Sequence, residues 1–106
     1  MALKRERGSN KSKGLCKLAI DQDMTIYAVD ELKHGLSQAI EDYQRFELNL
    51  AYVEEIDSAG VQLLLAFRNE LIQQKKEFKL TAVSGAVAKL IKIYGIDDRF
   101  DVGAVA

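Results

Sequence analysis

The residues best suited to chemistry are Asp57, Ser58 and Gly60, in the stretch "NLAYVEEIDSAGVQLLLAF" from 49 to 67. An acid, a hydroxyl and a glycine stand where a strand-like run ends and a strongly apolar helix-like run begins. Ser58 as a nucleophile would need a general base and a stabiliser of developing charge. The single histidine, His34, lies in another helical segment, and nothing in the sequence places it beside Ser58. One Cys16 and one His34 do not make a structural metal site. The acids Glu54/Glu55 and Asp97/Asp98 are adjacent, and neighbours in an extended chain point to opposite faces, so spacing alone makes no acid–base pair. There is no glycine-rich phosphate loop. These patterns predict a protein that is not an enzyme and has no cofactor or metal.

What remains is a helix start. Ser58 as N-cap would accept a backbone N–H from the first helical turn, and Asp57 would do the same if the helix begins one residue earlier. Gly60 allows a backbone or a partner to approach closely. Capping is the commonest use of such residues. The same geometry suits a phosphate, because a helix N-terminus carries partial positive charge and unpaired N–H groups. Phosphorylation of Ser58 would add about −1.5 to −2 charge. Beside Glu54, Glu55 and Asp57, that charge would change the surface and leave the fold intact.

Several elements must position this trio. "CKLAI" alternates as a strand, "DQD" offers a turn, and "MTIYAV" resumes with β-formers, so residues 15 to 29 read as two strands. Asp30 can cap a first helix with Leu32, Leu36, Ala39, Ile40 and Tyr43 at helical spacing. "FELNLAYV" reads as a third strand with Phe46, Leu48, Leu50 and Tyr52 on one face. The second helix runs from Ser58 to about Gln74, with Val61, Leu64, Leu65, Leu71 and Ile72 as its buried stripe. Leu63, Ala66 and Phe67 widen its apolar surface and could serve a partner or self-association. "FKLTAV" is a fourth strand. Ser84 can cap a third helix with Val87, Leu90, Ile91 and Tyr94 inward, closed by Gly95 and Ile96. The order β-β-α-β-α-β-α implies parallel pairing with right-handed crossovers, hence an α/β domain with a mixed sheet of four to five strands and helices mainly on one face.

The bulk properties fit. The chain has 106 residues, enough for one domain, and its net charge of −1 sets up no field for nucleic acid. Residues 1–14 are polar and basic and read as a flexible tail, leaving 15–106 as the domain. A lone cysteine, no signal-peptide pattern and no run long enough for a membrane helix predict a cytoplasmic protein without membrane insertion.

"EIDSAGVQLLLAF", preceded by "FELNLAYV" and followed by "FKLTAVSGAVAKLIKIYGIDDRF", resembles a STAS domain, the sulfate-transporter and anti-sigma-factor-antagonist family. The resemblance runs from residue 15 to about residue 101 and is most specific from Leu48 to Phe100. It implies a non-catalytic regulatory binding module of the antagonist (anti-anti-sigma) kind. In antagonist members the serine after the aspartate is phosphorylated by a partner, an anti-sigma factor that is a histidine-kinase-like serine kinase. Phosphorylation releases that partner, and a PP2C-type phosphatase restores binding. By position the phosphoacceptor is Ser58, in a loop with Asp57, Ala59 and Gly60, and Glu54, Glu55, Gln62, Leu63 and Ala66 would meet the partner. Ala59 stands where antagonists often have Ser or Thr. "DSAGVQLLL" is also similar to stand-alone STAS proteins of chemotaxis gene clusters and to the small STAS subunit of lipid-transport ABC complexes. That likeness implies a constitutive accessory subunit on an ABC ATPase or a chemotaxis protein.

Overall fold

The computed structural model describes residues 3–5, 9, 13–96 and 99–100. Its strands are β1 (Leu3–Arg5), β2 (Leu15–Ile20), β3 (Arg45–Leu50) and β4 (Glu77–Val83). Its helices are α1 (Val29–Ile40), α2 (Ser58–Gln73) and α3 (Gly85–Ile93). The strands form one sheet in sequence order, with β1 antiparallel to β2 and the other pairs parallel. This is the mixed α/β sheet expected from the alternation of elements, with four strands.

Alternate positions of the parallel strands feed the core. Cys16, Leu18 and Ile20 on β2, Phe46, Leu48 and Leu50 on β3, and Leu80 and Val83 on β4 are buried in one cluster with side chains of all three helices. The opposite face carries Lys17 and Glu47, 3.7 Å apart, and exposed Lys79. The helices therefore cover one face. A line of edge-to-face rings, Tyr43–Phe46–Phe67–Phe78–Phe100, ties the turn after α1 to β3, α2, β4 and the chain beyond α3.

Four expectations are corrected. Residues 24–29 are not a strand: Met24 makes one isolated parallel bridge to Ile56, a turn follows, and α1 begins at Val29. The sheet's extra strand is instead Leu3–Arg5, inside the segment read as a tail. Ser9 also lies against the sheet, its Oγ donating to the Lys17 carbonyl and accepting from the Lys17 N–H. Asp30 does not cap α1, whose N-cap is Ala28 without a side-chain bond. The buried stripe of α2 is rotated: Leu63 and Phe67 are inside, whereas Ile72 is 52% exposed.

The exits of α2 and α3 are built as Schellman motifs. After α3, the Gly95 N–H donates to Lys92 O and the Ile96 N–H to Ile91 O, with Gly95 at φ 67° and Ile96 buried. After α2, Lys75 and Lys76 repeat these bonds to Ile72 and Leu71, with Lys75 itself at φ 59°.

Candidate functional site

Parallel strands place their carboxyl ends together, so the β2–α1 connection (21–28) lies beside the β3–α2 connection (51–57). Hydrogen bonds lock the two. The Met24 N–H donates to Glu55 O at 2.8 Å, the Asp57 N–H to Met24 O at 3.2 Å, and the Glu55 N–H to Asp23 Oδ1 at 3.2 Å.

Asp57 is the N-cap of α2. Its Oδ1 accepts from the N–H groups of Ala59 (2.9 Å) and Gly60 (3.2 Å), while Oδ2 accepts from the Ile26 N–H (3.0 Å). The choice left open by the sequence between Ser58 and Asp57 is thereby decided for Asp57. The Ile26 N–H, then those of Gly60 and Ala59, hold the Asp57 carboxyl below its ordinary value of 3.8, against an opposing push from burial.

Gly60 is buried where the two connections meet. A Cβ there would stand 2.2 Å from the Met24 carbonyl oxygen and 2.8 Å from Ile56 Cγ1. The glycine is thus required by the close approach of the 24–28 segment to α2.

Ser58, the first residue of α2, is exposed. With capping done by Asp57, the Ser58 hydroxyl has no hydrogen-bond partner among the described residues. The structure brings Glu54, Glu55, Asp57, Ser58, Ala59 and Gly60 to one end of the molecule, with both glutamates exposed. Gln62 is exposed one turn further along α2. Leu63 is buried in the core, and Ala66 faces a groove of about 370 Å³ between α1 and α2, shared with Leu36 and Ile40.

Sequence reasoning missed two residues here. Ile26 is 65% exposed and Tyr27 96% exposed, on the segment bonded to Asp57. Inside an apparent strand they looked like ordinary β-formers, and no periodicity separated them from core residues. Their placement depends on bonds to residues about 30 positions away.

His34 lies on α1, its ring nitrogen Nε2 within 3.2 Å of the Gln38 side chain. Among the described residues, no group of three or more His, Cys, Asp or Glu side chains is arranged to hold a metal ion, and no helix is long and apolar enough to cross a membrane.

The family model described as "Mlab, STAS domain" matches residues 9–104. The chain belongs to the STAS domain family. No curated protein sequence matches it. Among solved structures it is similar to the anti-sigma factor antagonist SpoIIAA in its unphosphorylated form, at 20% identity, a TM-score of 0.75, and 95% coverage of this chain and 87% of that one. The phosphorylated form of SpoIIAA, a Bacillus cell fate determinant, matches at 19% identity and a TM-score of 0.71, covering 95% and 90%. An anti-sigma factor antagonist from Mycobacterium paratuberculosis matches at 18% identity and a TM-score of 0.79, covering 94% and 84%. At these identities the likeness is one of fold. Neither the family match nor these neighbours is an enzyme family.

Proposed function

We propose that this STAS domain is a protein-binding regulator whose partner contact is switched by phosphorylation of Ser58. One observation carries the reading: the Asp57 carboxylate takes over the capping of α2 and leaves an exposed serine hydroxyl at the first helical position. A structural serine at a helix start would be spent on the cap, and this one is not. A phosphate on Ser58 sits at the positive end of α2, so the helix tolerates it. The solved structures of SpoIIAA in both phosphorylation states match this chain at similar TM-scores, which supports a switch that works without refolding.

The contact face comprises the Ser58 loop with Asp57, Ala59 and Gly60, exposed Glu54, Glu55 and Gln62, and Ala66 further along α2. Leu63 supports that face from within the core. A histidine-kinase-like serine kinase serves as partner and modifying enzyme, and a PP2C-type phosphatase reverses the modification.

A second reading is favoured by the family match, because the model that fits is described by Mlab and not by an anti-sigma factor antagonist. In it the domain is a constitutive subunit docked on an ABC ATPase or a chemotaxis protein, with Ser58 an unmodified contact residue.

Intact-mass measurement of the protein from its native cells, paired with pull-downs by wild type, Ser58→Ala and Ser58→Asp, separates them. The switch predicts a phosphorylated fraction that Ser58→Ala abolishes, and loss of the partner by Ser58→Asp. An unmodified serine with every partner kept by Ser58→Asp sinks the switch and leaves the constitutive subunit.

A further inference from the structure

The exposed pair Ile26 and Tyr27 stands on the segment held by Asp57, and Tyr52, 61% exposed, lies on the neighbouring connection. Large apolar side chains so exposed beside a locked backbone are suited to contact. Their surroundings carry one sign of charge. Between residues 18 and 32 the ionised side chains are Asp21, Asp23, Asp30 and Glu31, with no Lys or Arg. The β3–α2 connection adds Glu54, Glu55 and Asp57, again with no base before Arg68. All but Asp57 are exposed, and Asp57 is partly so. The whole chain has a net charge of only −1, so this is polarity of one end and not general acidity.

We infer that this end docks a partner protein whose face is apolar at the centre, to receive Tyr27 and Ile26, and basic at the rim. The inference rests on the reading of Ser58 as the switch and names the chemistry of its partner. A second copy of the chain would bring two acidic rims together, and like charge disfavours that pairing. A basic rim is attracted, which raises the association rate, while the buried aromatic anchor sets the lifetime of the complex. The same arrangement explains how a phosphate would release a basic partner. Ser58 directly follows Asp57, whose Oδ2 holds the Ile26 N–H, so a dianion there would have to give up its water when the apolar part of the partner's face closes over this end.

The test uses the full chain, labelled with ¹⁵N, and two synthetic helical peptides with one leucine pattern. One peptide has Lys at its polar positions and the other has Glu. The Lys peptide is expected to shift the amides of 21–31 and 52–60, to bind the unphosphorylated chain and to weaken as salt is raised from about 0.1 M to about 1 M, where screening shortens from about 10 Å to about 3 Å. Tyr27→Ala, at a side chain that supports no core, should keep the circular dichroism spectrum and weaken binding at least tenfold, on the scale of an anchor residue. Equal binding of the Glu peptide, shifts confined to the α1–α2 groove, unchanged affinity in a folded Tyr27→Ala, or a dimer joined through 21–31 overturns the inference. The intact-mass result is independent. Shifts at this end with a never-modified Ser58 would keep the docking face and remove the switch, whereas a phosphorylated Ser58 with shifts elsewhere would do the reverse.

Discussion

At position 57 one carboxylate serves two segments, Oδ1 on the first turn of α2 and Oδ2 on the Ile26 N–H. Substitutions can separate these uses. Asn keeps a capping oxygen but offers no second acceptor to Ile26, whereas Ala loses both. Asp57→Ala is therefore expected to lower the melting temperature by roughly 4–8 °C. Asp57→Asn should fall less and speed hydrogen exchange mainly at the Ile26 amide. Ser58→Ala, with no cap to lose, should leave the melting temperature nearly unchanged. The sign of the pH effect follows from the depressed Asp57 carboxyl. Its stabilisation is fully present above the ordinary value of 3.8 and disappears as the pH falls through the lower folded value. The gap between wild type and Asp57→Asn should close across that acid range in thermal melts. A gap that persists at the lowest pH, or a Ser58→Ala as unstable as Asp57→Ala, would remove Asp57 from its place.

At the scale of elements, the exit of α2 has a visible imperfection. Lys75 adopts φ 59° in a motif that usually places glycine there, as Gly95 does after α3. Left-handed backbone costs an L-residue about 1 kcal/mol or somewhat more. Lys75→Gly is expected to stabilise the fold by about 0.5–1 kcal/mol in urea titration, with an unchanged denaturant slope. Lys75→Gly at or below wild-type stability would argue that the lysine side chain supplies an offsetting contact. This pair also shows what local sequence can reveal. Gly95 and Ile96 marked the end of α3 correctly because a left-handed cap has a residue-type signature. Lys75 carried no such signature, and the end of α2 was legible only as the fading of its apolar stripe. The strands at 15–20, 45–50 and 77–83 and the three helices were legible from their periods of 2 and 3.6. The segment 24–29 was not, because Met24, Ile26, Tyr27 and Val29 are β-formers whose fate is set by Glu55, Ile56 and Asp57. The strand at Leu3–Arg5 was hidden likewise: a short basic segment pairs with β2 through backbone groups that residue types do not announce. The candidate site was legible at Asp57, Ser58 and Gly60, where chemistry is local, and illegible at Ile26 and Tyr27, where it is assembled.

Across the whole molecule the turn after α1, strands β3 and β4, helix α2 and the chain beyond α3 share one aromatic seam. Phe67 is its middle member, edge-on to Phe46 at 5.7 Å and to Phe78 at 5.3 Å, and it is 5% exposed. Phe100 is the last member and meets only Phe78 within the seam, at 6.2 Å. Removing a central ring leaves a cavity between β3, β4 and α2, and such truncations cost about 3–5 kcal/mol. That is a large share of the roughly 5–15 kcal/mol by which domains are stable. Phe67→Ala is therefore expected to leave a marginal fold, while Phe100→Ala, relaxing at an end, should lose less. Urea denaturation followed by circular dichroism gives both values, and the double variant gives their coupling. Two rings linked only through Phe78 should couple weakly, so the losses should add within about 0.5 kcal/mol. Equal losses for the two single variants, or strong coupling between them, would mean that the segment beyond α3 closes the core as firmly as α2 does. The α2 register that sets Asp57 and Ser58 against the 24–28 segment would then depend on that closure as well.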